Sequence, residues 1–115
     1  MTHEWMLKTL TKIGFKYPDA EVYLSLTRDG SQTAREIAEA LKTEKRRIYR
    51  SLENLKAKGF VYANNEHPTQ FSALSFEKVL ETLTKANVEE ANRLETEKER
   101  ILSRWRALIR EDSAN

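Results

Sequence analysis

The sequence predicts a mainly α-helical protein with one small β-hairpin, arranged as a turn-rich head and a long helical tail. Three observations predict it. Apolar residues recur at three- and four-residue spacing over most of the chain, the periodicity of amphipathic helices. The clearest β-prone runs, Phe60-Val61-Tyr62 and Gln70-Phe71-Ser72, flank the polar turn Asn64-Asn65-Glu66-His67-Pro68. Gly14, Gly30, Gly59, Pro18 and Pro68 all precede residue 69, so nothing in the last third interrupts a helix.

The head is read in order. His3 to Ile13 carries Trp5, Met6, Leu10 and Ile13 on one stripe, and Gly14 stands where a helix-ending glycine belongs. Pro18 suits a first helical turn, and Asp19 and Glu21 place negative charge at that helix's positive end. Ala20, Tyr23, Leu24 and Leu26 give the second helix its buried side, which Asp29-Gly30 ends. Thr33-Ala34-Arg35-Glu36 has the spacing of a capping box, in which hydroxyl and carboxylate each satisfy a free backbone N–H. Ile37, Ala38 and Leu41 form the apolar face of a short third helix.

Lys42 then turns the chain, Thr43 is the expected cap, and a basic helix runs from about Glu44 to Gly59. Ile48, Leu52 and Leu55 stripe one side of it. At about 100° per residue, Arg46 and Arg50 fall opposite, with Arg47 and Asn54 on one flank and Lys45 and Tyr49 on the other. Two helices joined by so tight a turn match a helix-turn-helix, and a hairpin directly after the second helix is a wing. Residues 1–74 are therefore expected to form a winged helix-turn-helix domain.

From Ser75 onward the stripe continues through Phe76, Val79, Leu80 and Leu83. It passes into a heptad seam of Ala91, Leu94, Ile101, Trp105 and Leu108, with Asn87 and Lys98 at polar seam positions. An unbroken helix of about 37 residues would extend about 55 Å, too far for a small head to cover. Residues 75–115 are thus expected to pair with a second copy as a coiled coil, through those five seam residues. Folding back would need a break near Asn87, where no Gly or Pro stands.

Charge points to the partner. Of the 115 residues, 20 are Lys or Arg and 18 Asp or Glu, a net +2 that hides a concentration. Seven basic residues against two acidic ones lie between Lys42 and Gly59, the footprint expected of nucleic-acid contact. No run approaches the roughly 20 apolar residues of a membrane helix, and no signal-peptide core begins the chain. We therefore expect a cytoplasmic, nucleoid-associated protein that does not engage membranes. Cysteine is absent, and the two histidines sit near a terminus and in the hairpin turn. No Gly-rich phosphate loop and no nucleophile-plus-base spacing occurs, and the carboxylates of the tail lie beside Lys and Arg on helical surface. No catalytic residue, metal ligand or cofactor is expected, and the chain is not read as an enzyme.

Gly14 through Leu74 resembles the DNA-binding domain of the TrmB family of archaeal transcription regulators. The likeness runs through Ile13-Gly14-Phe15, Asp19-Ala20-Glu21-Val22-Tyr23-Leu24, Thr33-Ala34-Arg35-Glu36-Ile37-Ala38, Arg47-Ile48-Tyr49-Arg50-Ser51-Leu52, Leu55 and Lys58-Gly59-Phe60-Val61. It departs at the helix-turn-helix turn, where Lys42 and Thr43 replace the usual Gly and apolar residue. The resemblance implies DNA binding and dimerisation. Larger members carry a C-terminal sugar-binding effector domain that does not appear before Asn115, so no small-molecule effector is carried over.

The leading expectation is a homodimer on double-stranded DNA. Arg46 and Arg50 would reach base edges in the major groove, as arginine does on guanine. Thr43, Lys45, Arg47 and Tyr49 would hold phosphates, with Thr33 and Arg35 at the start of the preceding helix. Asn64, Asn65 and His67 of the wing would meet sugar, phosphate or minor groove. Two alternatives stand beside this: a winged-helix module of the transcription machinery that docks protein, and a sequence-independent chromatin-packing protein.

Overall fold

Apolar residues three and four apart draw the helices of the head onto one another. The computed structural model describes the backbone of residues 2–86 and 88–114, and the side chains of residues 2–85 and 97–111. The chain divides into two compact units, Met1–Leu74 and Ser75–Asn115.

In the first unit, α1 (Thr2–Lys12) packs on α2 (Tyr17–Asp29), and α2 packs on both α3 (Ala34–Leu41) and α4 (Lys45–Ala57). Met6, Leu10, Val22, Tyr23, Leu24, Ile37, Ile48, Leu52 and Leu55 are buried at their junction. Gly59, at φ +79°, lets the chain leave α4 sharply, with the Phe60 N–H donating back to the Leu55 carbonyl at 2.9 Å.

Two wing strands follow, β2 (Val61–Ala63) and β3 (Gln70–Ala73), antiparallel with Val61 opposite Ala73 and Ala63 opposite Phe71. A third strand, β1 (Gln32–Thr33), pairs with β3 on its other side, giving the order β1-β3-β2. Sequence reading found the hairpin and missed β1. Gln32 is buried there, its amide donating to the Ser25 carbonyl at 3.0 Å. Beneath the wing, Phe15 stacks on Phe60 and tilts against Tyr23, both with ring centroids 5.3 Å apart. The Tyr23 hydroxyl donates to the Leu74 carbonyl at 2.6 Å, latching α2 to the exit of β3.

The second unit corrects one expectation. The tail is not an unbroken helix: α5 (Phe76–Ala86) and α6 (Val88–Ala114) pack against each other as an antiparallel hairpin. The direction follows from the pairing. Phe76 stacks on Trp105 with centroids 4.0 Å apart and Glu77 pairs with Arg106 at 2.6 Å, while Glu81, a turn further on, meets Lys98 at 4.0 Å. Phe76, Val79 and Leu80 are buried, as are Ile101, Leu102, Trp105 and Leu108. Three of the five seam residues assigned to a second copy are thus buried within one chain. Ala91 and Leu94, the other two, and Asn87 lie outside the residues described. The physical reason is that two apolar stripes on one chain meet at far higher effective concentration than stripes on two chains. Closing a short connection costs little against that burial.

Burial pushes the Tyr23 phenol above its ordinary pKa. Because the folded value exceeds the unfolded one, this group's contribution is complete below about pH 10 and is lost as pH rises, by at most about 1.36 kcal/mol per unit. Tyr23→Phe should therefore cost about 0.5–1.5 kcal/mol near neutrality and lessen the alkaline loss. Urea denaturation of both proteins from about pH 8 to 11 measures the two effects together.

Candidate nucleic-acid interface

The basic surface is built from the anchoring of α4. Ile48, Leu52 and Leu55 are buried, together with Ser51, and this fixes the rotation of the helix about its axis. Lys45, Arg46, Arg47, Tyr49 and Arg50 are consequently all exposed. The Arg46 side chain is 84% exposed and approaches Glu44 at 3.7 Å, a pair that solvent screens. Lys45, Arg47 and Arg50 make no hydrogen bond or ion pair among the described residues. Four cations within six residues, nearly free of carboxylates, leave a surface with unsatisfied positive potential.

The turn before α4 sets the direction from which this face is presented. Thr33 caps α3 as its spacing predicts: its hydroxyl accepts from the Glu36 N–H at 3.1 Å, and its own N–H donates to Glu36 Oε1 at 2.9 Å. At the other end of α3, Lys42 takes the left-handed conformation, φ 54° and ψ 48°, which costs a side-chain-bearing residue about 1–2 kcal/mol. The Thr43 N–H donates to the Ala38 carbonyl at 3.0 Å. The cap of α4 is Glu44 rather than the expected Thr43, and no side chain bonds to the free N–H groups there. Thr43 is still occupied in closing α3, so the chain becomes extended only at Glu44, just ahead of the helix.

The remaining sequence-predicted residues divide. Arg35, Thr43 and Lys45 line one shallow depression of about 400 Å³ beside the turn. Thr43, Arg47 and Arg50 line a second groove, of about 420 Å³, between α4 and α2. Thr43 belongs to both. Arg35 pairs with Glu39 at 3.3 Å, both side chains exposed, and the Thr33 hydroxyl is taken up by its cap. In the wing, Asn64 Oδ1 accepts from the N–H groups of Glu66 and Gln70 at 3.2 and 3.0 Å, so this side chain shapes the loop. Asn65 and His67 are exposed on that loop.

Sequence reasoning missed several residues on these surfaces. Lys16, Asp19, Glu21 and Asn54 line the second groove. Asp19 is buried to 3% exposure and accepts from the Asn54 amide at 3.4 Å, joining the first turn of α2 to α4. Tyr17 and Tyr62 are exposed aromatics beside the groove wall and on β2. The sequence carried a signal for Asn54, which helical spacing places on the same flank of α4 as Arg47.

An outward basic helix on a helix-turn-helix, followed by a two-stranded wing that joins β1 in one small sheet, defines a DNA-binding regulator of the winged-helix class. The chain belongs to the TrmB family: residues 10–77 match the family described as "Sugar-specific transcriptional regulator TrmB". No curated protein matches the sequence. The fold is shared with a possible transcriptional regulator from Methanosarcina mazei at a TM-score of 0.56 and 18% identity, covering 76% of this chain and 80% of that one. It is shared too with a MarR family regulator from Neisseria meningitidis at a TM-score of 0.51 and 15% identity, covering 91% and 86%.

The left-handed residue in the turn yields a prediction. Lys42→Gly should stabilise the protein by about 1 kcal/mol, because only glycine adopts this conformation without strain. Equilibrium urea denaturation measures the change, and a loss of stability would show that the lysine side chain contributes more than its backbone costs.

Proposed function

We propose that this protein is a homodimeric, sequence-specific transcription regulator that binds double-stranded DNA with α4 in the major groove. The observation that carries the reading is the outward set of Lys45, Arg46, Arg47 and Arg50, nearly free of internal carboxylates. Membership of the TrmB family supports it. Arg46 and Arg50 are the base-reading residues, since a guanidinium matches the two acceptors of guanine in a planar fork. Lys45, Arg47, Thr43 and Tyr49 hold phosphates, and Arg35 extends that contact from α3, with Thr33 contributing through the backbone end it caps. Asn65 and His67 of the wing meet the sugar-phosphate edge or the minor groove, on a loop whose shape Asn64 sets. The protein acts on the nucleoid in the cytoplasm.

The dimer enters in altered form. With Ile101, Trp105 and Leu108 buried within one chain, the contact between copies uses other faces of the α5–α6 hairpin. Two copies related by a two-fold axis require a palindromic site whose half-sites lie about 10–10.5 bp apart, or a multiple of it.

Fluorescence anisotropy on a duplex selected from random sequence tests the assignment. Arg50→Ala should cost about 1–3 kcal/mol and flatten preference at one base pair, while Lys45→Ala should weaken all sequences alike. Wild-type affinity should fall by orders of magnitude between about 50 and 200 mM salt if six or so phosphates are contacted. Unchanged binding in both variants would remove α4 from the interface, and absence of duplex affinity would favour a protein-docking module.

Sedimentation of the full chain tests the oligomer separately. A dimer at micromolar concentration is expected, and a monomer would limit recognition to a single half-site.

A further inference from the structure

We propose that the groove between the first turn of α2 and the recognition helix is a binding site for a free α-amino acid with an apolar side chain. Its volume of about 420 Å³ lies in the range of small-molecule sites, about 300–1,000 Å³. Asp19 and Glu21 line it from α2, and Arg47 and Arg50 from α4, with Lys16 at the rim.

These charges share one groove without joining. Neither carboxylate lies within 4.0 Å of any of the three cations, and none of the cations makes another ion pair among the described residues. Asp19, at 3% exposure, instead accepts from Asn54. A gap between opposite charges that do not meet suits a ligand carrying both charges itself. An ammonium group placed against Asp19 and Glu21, and a carboxylate placed against Arg47 and Arg50, satisfy both walls. A ligand bearing one charge is attracted by one wall and repelled by the other. The apolar side chain follows from Pro18, Val22, Leu41 and Ile48, which supply the apolar part of the lining.

Binding is read on the full chain with no DNA present, so its outcome is independent of the DNA-binding proposal. Calorimetric titration uses the standard α-amino acids up to about 10 mM, a limit that detects even weak sites. The strongest binder is then compared with the matching amine that lacks the carboxylate and the matching acid that lacks the ammonium. We expect saturable binding of at least one apolar amino acid, with each single-charge analogue weaker by about tenfold or more.

Two variants guard against mere unfolding. Glu21→Gln changes a half-buried side chain, and Asp19→Asn keeps an oxygen to accept from Asn54. At least one should weaken the amino acid about tenfold with its urea midpoint unmoved. The proposal is overturned by no saturable binding, by a single-charge analogue or a neutral polyol binding as tightly as the amino acid, or by full affinity in both variants.

Discussion

Rotation of α4 about its own axis is the constraint on which the rest of this molecule depends. Ile48, Leu52 and Leu55 enter the junction with α2 and α3, and each such side chain contributes about 1.5–3 kcal/mol when fully buried. The opposite face contributes almost nothing to stability. Among the described residues its only charged partner on the outward side is Glu44, and an exposed pair of that kind adds about 0–1 kcal/mol. Clustering four cations there opposes folding slightly through their mutual repulsion. The aliphatic stripe therefore supplies the energy that holds a set of guanidinium groups in a fixed array. Among the described residues the array has no internal partner besides Glu44, the condition for engaging an external polyanion.

Orientation of that array passes through a turn of three residues. The capping box at Thr33 and Glu36 secures the first turn of α3, and the left-handed Lys42 ends it. Because the Thr43 N–H still belongs to α3, α4 cannot begin before Lys45. Strain at Lys42 is tolerated because the buried residues on either side, Ile37 and Ala38 before and Ile48 after, determine where both helices lie. A glycine would relax the backbone and also remove a charge from the edge of the depression that Arg35 and Lys45 share.

Much of the head was legible because its signals are local. The stripe of α4, the capping box and the glycine after α4 each occupy a few neighbouring residues, and each has one physical reading. The features that escaped were those whose cause lies elsewhere in the chain. Strand β1 has two residues, too few for any periodicity, and exists because Phe71 and Gln70 stand opposite it. Asp19 reads locally as a carboxylate favoured by a helix N-terminus, and nothing near it announces Asn54, 35 residues away. The tail misled for a related reason. A stripe of Ile101, Trp105 and Leu108 reports that a partner helix exists, but its spacing is the same whether that partner belongs to another copy or is α5.

Arg47 and Arg50 face two demands. They belong to the outward cationic set and they form one wall of the groove behind α4, so the two proposals of DNA contact and of a groove ligand call on the same pair of guanidinium groups. Each has a limited number of donors in a fixed planar fork, and a fork turned toward the groove is not turned toward DNA. If both proposals hold, occupation of one site weakens the other, and linkage makes the penalty mutual: the factor by which a groove ligand lowers DNA affinity equals the factor by which DNA lowers affinity for the ligand. Such coupling needs no hinge or second domain, because the shared side chains are the mechanism. The Asp19–Asn54 hydrogen bond links the walls of the groove across α2 and α4, so the proposed competition requires only a change in the rotamers of two arginines.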